Sequence, residues 1–146
     1  MKSRLSGTEV LDHIHALMHA QGRHMQAAVS AEGNGLGPME VRCLRHIAHQ
    51  EGVTQSDLVA HSGRDKAQIA RLVKGLIERG LVTSQPHPVD RRSQVLSVTA
   101  EGLVLQRKMQ AHLARFETQL LAGFGANETA SLVDFLKRLH HNAQGA

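Results

Sequence analysis

The segment from Thr54 to Thr99 constrains the fold most, because helical periodicity there gives way abruptly to period-two alternation. "TQSD" sets Thr54 and Asp57 at the spacing of an N-terminal capping pair and predicts a short helix over about Gln55–His61, closed by Ser62 and Gly63. Asp65 can cap a second helix, "KAQIARLVKGLIERG", with Ile69, Leu72, Val73, Leu76 and Ile77 as its buried stripe and Gly80 as a left-handed stop. "LVTSQ" and "QVLSV" then alternate on either side of Pro86–Ser93, as the arms of a β-hairpin do. Pro86 and Pro88 stiffen the ascending arm, and Asp90 is placed to accept a hydrogen bond from the tip backbone or from Arg92.

The flanking sequence is helical. Leu11, Ile14, Met18, Met25 and Val29 recur at steps of three, four and seven, which predicts a long first helix over about Leu5–Val29 ended by "EGNGLGP". A second helix is expected over Pro38–Gln50, with Val41, Cys43, Leu44 and Ile47 on its apolar arc and Arg42, Arg45, His46 and His49 opposite. Thr99 caps a long helix to about Ala122 carrying Leu105, Met109, Leu113, Phe116 and Leu120, and "NETASLVDFLKRLHH" makes a last one.

Helix, tight turn, helix, hairpin is the order of a winged helix-turn-helix. The expected architecture is therefore mainly α with a small β-hairpin wing. Residues 36–100 form the DNA-binding part, and 1–32 and 100–146 form dimerisation helices. Composition agrees with a nucleic-acid partner. The 146 residues carry a net charge of +4. From His61 to Val95 seven basic residues (Arg64, Lys66, Arg71, Lys74, Arg79, Arg91, Arg92) meet three acidic ones (Asp65, Glu78, Asp90), so the positive field concentrates on this half. Trp and Tyr are absent and there are only three Phe, which leaves little to stack on single-stranded bases and favours duplex DNA. The chain has no apolar run of the roughly 18 residues a membrane span needs, so a cytoplasmic location is expected. A single cysteine excludes an internal disulfide.

On "GPMEVRCLRHIA", "GVTQSDLVAHSGRDKAQIARLVKGLIERGLV" and "DRRSQVLSVTAEG" the chain resembles the MarR family of bacterial transcriptional regulators. Asp90 and Arg92 match the D-x-R signature of the family's wing, and the likeness extends more loosely over the flanking helices. The resemblance implies a homodimer that binds an inverted-repeat operator, usually as a repressor. Release would come from a small-molecule effector or, in some branches, from cysteine oxidation or metal. It implies no cofactor.

Base contacts are assigned to Lys66, Ala67, Gln68 and Arg71, the outward residues near the start of the recognition helix. Arg71 is the first choice, since a guanidinium can pair bidentately with guanine. Gln68 can read adenine or turn back to cap its own helix. Family members often have hydroxyl residues where this chain has Ala67 and Ala70, so a different operator is expected. Thr54, Ser56, Arg64 and Lys74 are phosphate candidates. Asp90, Arg91 and Arg92 form the wing tip, where a rigid arginine suits the negative potential of a minor groove.

Other chemistries have weaker support. Cys43 lies in an apolar arc, as an inert buried thiol would, and oxidation-sensing branches of the family keep their reactive cysteine in the first helix. His15 with His19 and His46 with His49 have metal-ligand spacing, which keeps a metal-responsive regulator as an alternative. No catalytic motif is present, and a hydrolase built on the paired histidines is the weakest reading. A winged module that binds protein is the remaining alternative. The family resemblance implies an effector cleft between the dimerisation helices and the winged part, which would draw on residues such as His13, Met18, Arg42 and His112.

Overall fold

The computed structural model describes residues 5–32 and 35–146. The Gly33–Asn34 part of the expected turn lies outside the described residues. Its elements are α1 (Gly7–Glu32), α2 (Pro38–His49), β1 (Val53–Thr54), α3 (Gln55–Ser62), α4 (Lys66–Glu78), β2 (Val82–Pro86), β3 (Gln94–Val98), α5 (Ala100–Leu120) and α6 (Ala126–Gln144). Helix boundaries fall where local chemistry sets them. Pro38 begins α2, where its missing N–H costs nothing. Thr54 and Asp57 form a reciprocal capping box, with Thr54 N–H donating to Asp57 Oδ2 at 2.9 Å and Asp57 N–H to Thr54 Oγ1 at 3.2 Å. Gly63, at φ 67°, ends α3 in the left-handed region that a side chain would resist.

The sheet is antiparallel in the order β1-β3-β2. The sequence reading anticipated the hairpin but not β1, whose two residues are too few to show alternation. Val53 sits opposite Leu96 in the register and Ser84 faces Leu96 from the other side, which puts Leu96 at the centre of the sheet. Pro86 closes the pairing opposite Gln94 on β2, an edge strand where its missing donor is tolerated.

Two compact units are distinguished, Met1–Leu113 and Ala114–Ala146. In the first, Leu44 of α2, Leu58 of α3, Ile69, Val73 and Leu76 of α4, and Val82 and Leu96 of the sheet are almost wholly buried. Met25, Ala28 and Val29 of α1 and Leu105, Met109 and Leu113 of α5 extend the same core. One helical expectation needs correction. Ile77, read as part of the buried stripe of α4, is 39% exposed, because the stripe that faces the core is the narrower set Ile69, Val73 and Leu76.

The α5–α4 junction is tightly built. Thr99 Oγ1 donates to the Gly80 carbonyl at 2.6 Å and accepts the Gly102 N–H at 3.0 Å, capping α5 while tying it to the end of α4. In the second unit, no described residue of α6 is buried, and Leu132, Val133, Phe135, Leu136 and Leu139 are all at least 40% exposed. Among the described residues no helix is long and apolar enough to cross a membrane.

Candidate nucleic-acid interface

The outward face of α4 is set by what its inward face must bury. With Ile69, Val73 and Leu76 in the core, Lys66, Ala67, Gln68, Arg71 and Lys74 are left exposed to solvent. Asp65 holds the start of the helix by accepting the Gln68 backbone N–H at Oδ1, 2.8 Å away. The Gln68 side chain lines an open groove of about 380 Å³ together with Arg64, Arg71, Met39, Glu40, Leu72 and Gly75. Two arginines, a glutamine and one acidic residue, Glu40, thus line one concave surface beside the capped end of α4. Ala70, by contrast, is half-buried, so the family's hydroxyl at that position would be partly screened here.

The expected phosphate residues divide between elements. Arg64 lies in the turn between α3 and α4, where its backbone N–H donates to Ser62 Oγ at 3.2 Å. Ser56 is exposed in the first turn of α3, whereas Thr54 Oγ1 accepts the Asp57 N–H in its cap. Lys74 reaches Glu78 at 3.9 Å with both side chains solvated, a pair worth little and easily exchanged for another anion.

The hairpin tip is organised by its own side chains. Asp90 Oδ1 accepts the Arg92 backbone N–H at 3.1 Å and lies 3.5 Å from Arg92 Nε, so the anticipated partners of Asp90, backbone and guanidinium, both occur. The Arg92 side chain is nonetheless 95% exposed. Arg91 is exposed beside it. Sequence reasoning missed the role of His87. Its Nδ1 accepts the N–H groups of Val89 and Asp90, each at 3.1 Å, a geometry that residue type and spacing alone do not announce.

The alternative chemistries are less well served. Cys43 is buried, and that burial, followed by the Glu40 carboxylate, pushes its thiol up from the ordinary value, which disfavours the reactive thiolate. His46 and His49 turn to different partners: His49 Nδ1 meets the Arg45 carbonyl at 2.8 Å, while His46 stacks on His61 with ring centroids 4.2 Å apart. Burial, and then His61, lower the His46 pKa, with Asp57 opposing. Among the described residues no group of three or more histidine, cysteine or acidic side chains is placed to hold a metal ion. Of the expected cleft residues, His13, Met18 and Arg42 are exposed, and His112 Nε2 pairs with Glu32 at 2.7 Å, joining α5 to the end of α1.

A capped helix pair on a three-stranded antiparallel sheet, with a basic face on the second helix and arginines at the hairpin tip, defines a DNA-binding winged helix-turn-helix protein of the kind that regulates transcription. Residues 34–93 match the MarR family model. The chain is 28% identical over 127 residues to the uncharacterized HTH-type transcriptional regulator YdgJ of Bacillus subtilis, covering 86% of this chain and 77% of that protein. The PcaV transcriptional regulator of Streptomyces coelicolor, solved in complex with its natural ligand, has a similar fold with a TM-score of 0.73 at 27% identity over 98% of this chain and 99% of its own. A cysteine variant of MarR from E. coli complexed with operator DNA superposes with a TM-score of 0.71 at 20% identity, over 86% of this chain and 89% of the other. YdgJ and a Thauera aromatica protein, the putative transcriptional regulatory protein for the hcr operon, are both named as regulators of transcription.

Proposed function

We propose that the protein is a homodimeric, sequence-specific repressor of transcription that a small molecule releases from DNA. The observation that carries this reading is the capped start of α4, where Arg64, Gln68 and Arg71 share one open surface while the opposite face is locked in the core. In that arrangement Arg71, Gln68, Lys66 and Ala67 read base edges in the major groove, and Arg64, Ser56, Lys74 and Thr54 hold phosphates. Asp90, Arg91 and Arg92 carry the wing into the adjoining minor groove. Thr54 contributes through its hydroxyl proton, because its backbone N–H is spent on Asp57 while its Oγ1 only accepts in the cap.

Dimerisation is supported by apolar side chains that a lone chain leaves in water. Leu11 and Met18 on α1 are 56% and 48% exposed, and α6 presents Phe135 at 56% with Leu132, Leu136 and Leu139 beside it in the helical repeat. Two copies related by a two-fold axis would set their recognition helices about 34 to 36 Å apart, one turn of duplex, and select an inverted repeat. PcaV is named with a natural ligand, which favours small-molecule release here as well. Residues 36–100 would then bind DNA, with 1–32 and 100–146 as the dimerisation helices.

Selection of bound duplexes from a random library tests the reading directly. An enriched inverted repeat, with sedimentation as a dimer at micromolar concentration, is expected. Enrichment of unrelated sequences, or a monomer that binds half-sites and full sites equally, would refute it. Thermal-shift screening of metabolites and metals, followed by release of the selected duplex, identifies the effector. Reporter expression with and without the protein then gives the sign of regulation.

A further inference from the structure

The hairpin tip must satisfy its backbone donors within a loop that contains two prolines. The N–H groups of His87, Val89, Asp90, Arg92 and Ser93 all find acceptors inside it: His87 donates to the Ser93 carbonyl at 2.9 Å, Ser93 to the Asp90 carbonyl at 3.0 Å, and Arg92 to Asp90 Oδ1. Val89 and Asp90 both donate to one atom, His87 Nδ1. Two side chains therefore hold the loop, and their chemistry differs. A carboxylate accepts throughout the neutral and mildly acidic range, whereas an imidazole nitrogen accepts only while it carries no proton. Histidine is the side chain that changes protonation between pH 5 and 8.

We propose that His87 is the positioning residue of the wing: its unprotonated Nδ1 fixes the Val89–Asp90 backbone and so aims Arg91 and Arg92, and protonation of that nitrogen releases the tip. This rests on the reading of the β2–β3 hairpin as a DNA-contacting wing. A proton on Nδ1 replaces the shared lone pair with a donor facing two other donors, so both hydrogen bonds are lost together. His87 is half-buried in a tip whose other members from Pro86 to Arg92 are exposed, as expected of the side chain around which the loop is folded. The charged groups that the tip brings to it are Asp90, Arg91 and Arg92. The Asp90 carboxylate is already engaged by the Arg92 backbone, the Arg92 guanidinium and Ser93 Oγ. Helices α2, α3 and α4 and strand β1 pack against β2 and β3, strands that carry no ionisable side chain.

The sign of the effect distinguishes this device from simple charge. Acidification makes a protein more positive and should by itself tighten binding to a polyanion. Release of the wing works in the opposite direction.

The experiment compares the full-length wild type with His87→Asn, whose amide oxygen accepts at every pH, and with His87→Ala. Anisotropy titrations on the selected duplex run from pH 8 to 5.5 at constant ionic strength. At pH 8 wild type and His87→Asn should bind alike, and His87→Ala more weakly by about five-fold, the scale of one to two net hydrogen bonds. On acidification the wild type should fall relative to His87→Asn toward the level of His87→Ala. In the wild-type NMR spectrum the Val89 and Asp90 amide signals should move with the same midpoint as the His87 ring. Amide signals that stay fixed while the ring titrates, or wild-type and His87→Asn affinities that coincide at every pH, overturn the role of His87. Arg92→Ala at pH 8 separates the two levels. If it binds as the wild type does, the wing reading itself falls and takes the proposal with it. If it weakens binding while His87 has no effect, only the His87 role is lost.

Discussion

Replacing Gly102 by alanine should destabilise the protein, although alanine is the better helix former. An added Cβ would lie 2.1 Å from the Leu81 carbonyl oxygen and 2.8 Å from Val98 Cγ2. The carbonyl cannot simply withdraw, because it accepts the Thr99 N–H at 3.0 Å and Thr99 is itself bound to Gly80 and Gly102. Overpacking of a tight site costs about 1–3 kcal/mol, and a clash with hydrogen-bonded backbone belongs at the upper end. Helix propensity returns at most about 1 kcal/mol. A net loss of about 2 kcal/mol should lower the urea midpoint by roughly 1 M if the denaturant slope is about 2 kcal/mol/M. Gly75 in α4 supplies the control, since nothing lies within 4 Å of its added Cβ. Gly75→Ala should gain about 0.5–1 kcal/mol from propensity alone. Both variants and the wild type are unfolded in urea at one protein concentration, as the stability of the proposed dimer would depend on it. A Gly102→Ala midpoint at or above that of the wild type would show that the junction can yield and that this packing argument is wrong.

Arg71→Ala should cost about 1–3 kcal/mol on the selected operator and far less on scrambled duplex, so that specificity relaxes. Arg92→Ala should weaken both duplexes by a similar factor and reduce the salt slope by about one unit; anisotropy at several salt concentrations measures both variants, and a pattern in which Arg92 alone governs preference would reverse the roles. His46, held low first by burial and then by His61, takes a proton more readily in the unfolded chain, so the unfolded state binds more protons and stability is lost as pH falls below the ordinary histidine value near 6.5 toward the lower folded value. His46→Gln should therefore lose less stability than the wild type between neutral pH and pH 5 in urea titrations, and parallel curves would remove this contribution.

The elements of the winged part were legible because each is punctuated by residues with one dominant local use. Thr54 with Asp57, Gly63, Asp65 and Thr99 all act where their chemistry placed them, and the alternation of the two arms fixed a hairpin that the structure pairs from Val82 with Val98 to Pro86 with Gln94. What stayed hidden depends on the third dimension. Strand β1 exists because Val53 and Thr54 pair with β3, forty residues away in order of magnitude, and two residues carry no periodicity of their own. Gly102 reads as an ordinary glycine in the first turn of a helix, and only the approach of the Leu81 carbonyl makes its missing Cβ a requirement. The stack of His46 on His61 joins helices whose facing sides cannot be known from either sequence alone.

The apolar stripes of the terminal helices carry a different lesson. Periodicity reports that a face wants burial, but it is silent on what covers the face. In α2 the stripe Val41, Leu44 and Ile47 is satisfied within the chain, each residue being no more than 5% exposed. In α1 the same kind of stripe splits: Met25 and Val29 reach the core, while Leu11 and Met18 remain in water. In α6 the whole stripe does. An intramolecular core accounts for the first case, whereas α6 buries none of its stripe. Leaving several large side chains of α6 half-exposed forgoes on the order of 1 kcal/mol or more for each, a loss that a second copy can recover with the same residues on both sides of a two-fold axis. Charge substitution separates stability from association here. Phe135→Glu should leave the folding of a lone chain nearly unchanged, because that side chain is 56% exposed, yet shift sedimentation from dimer to monomer and weaken binding to the inverted repeat far more than to a half-site. A Phe135→Glu protein that stays dimeric would place the contact elsewhere than on this face of α6.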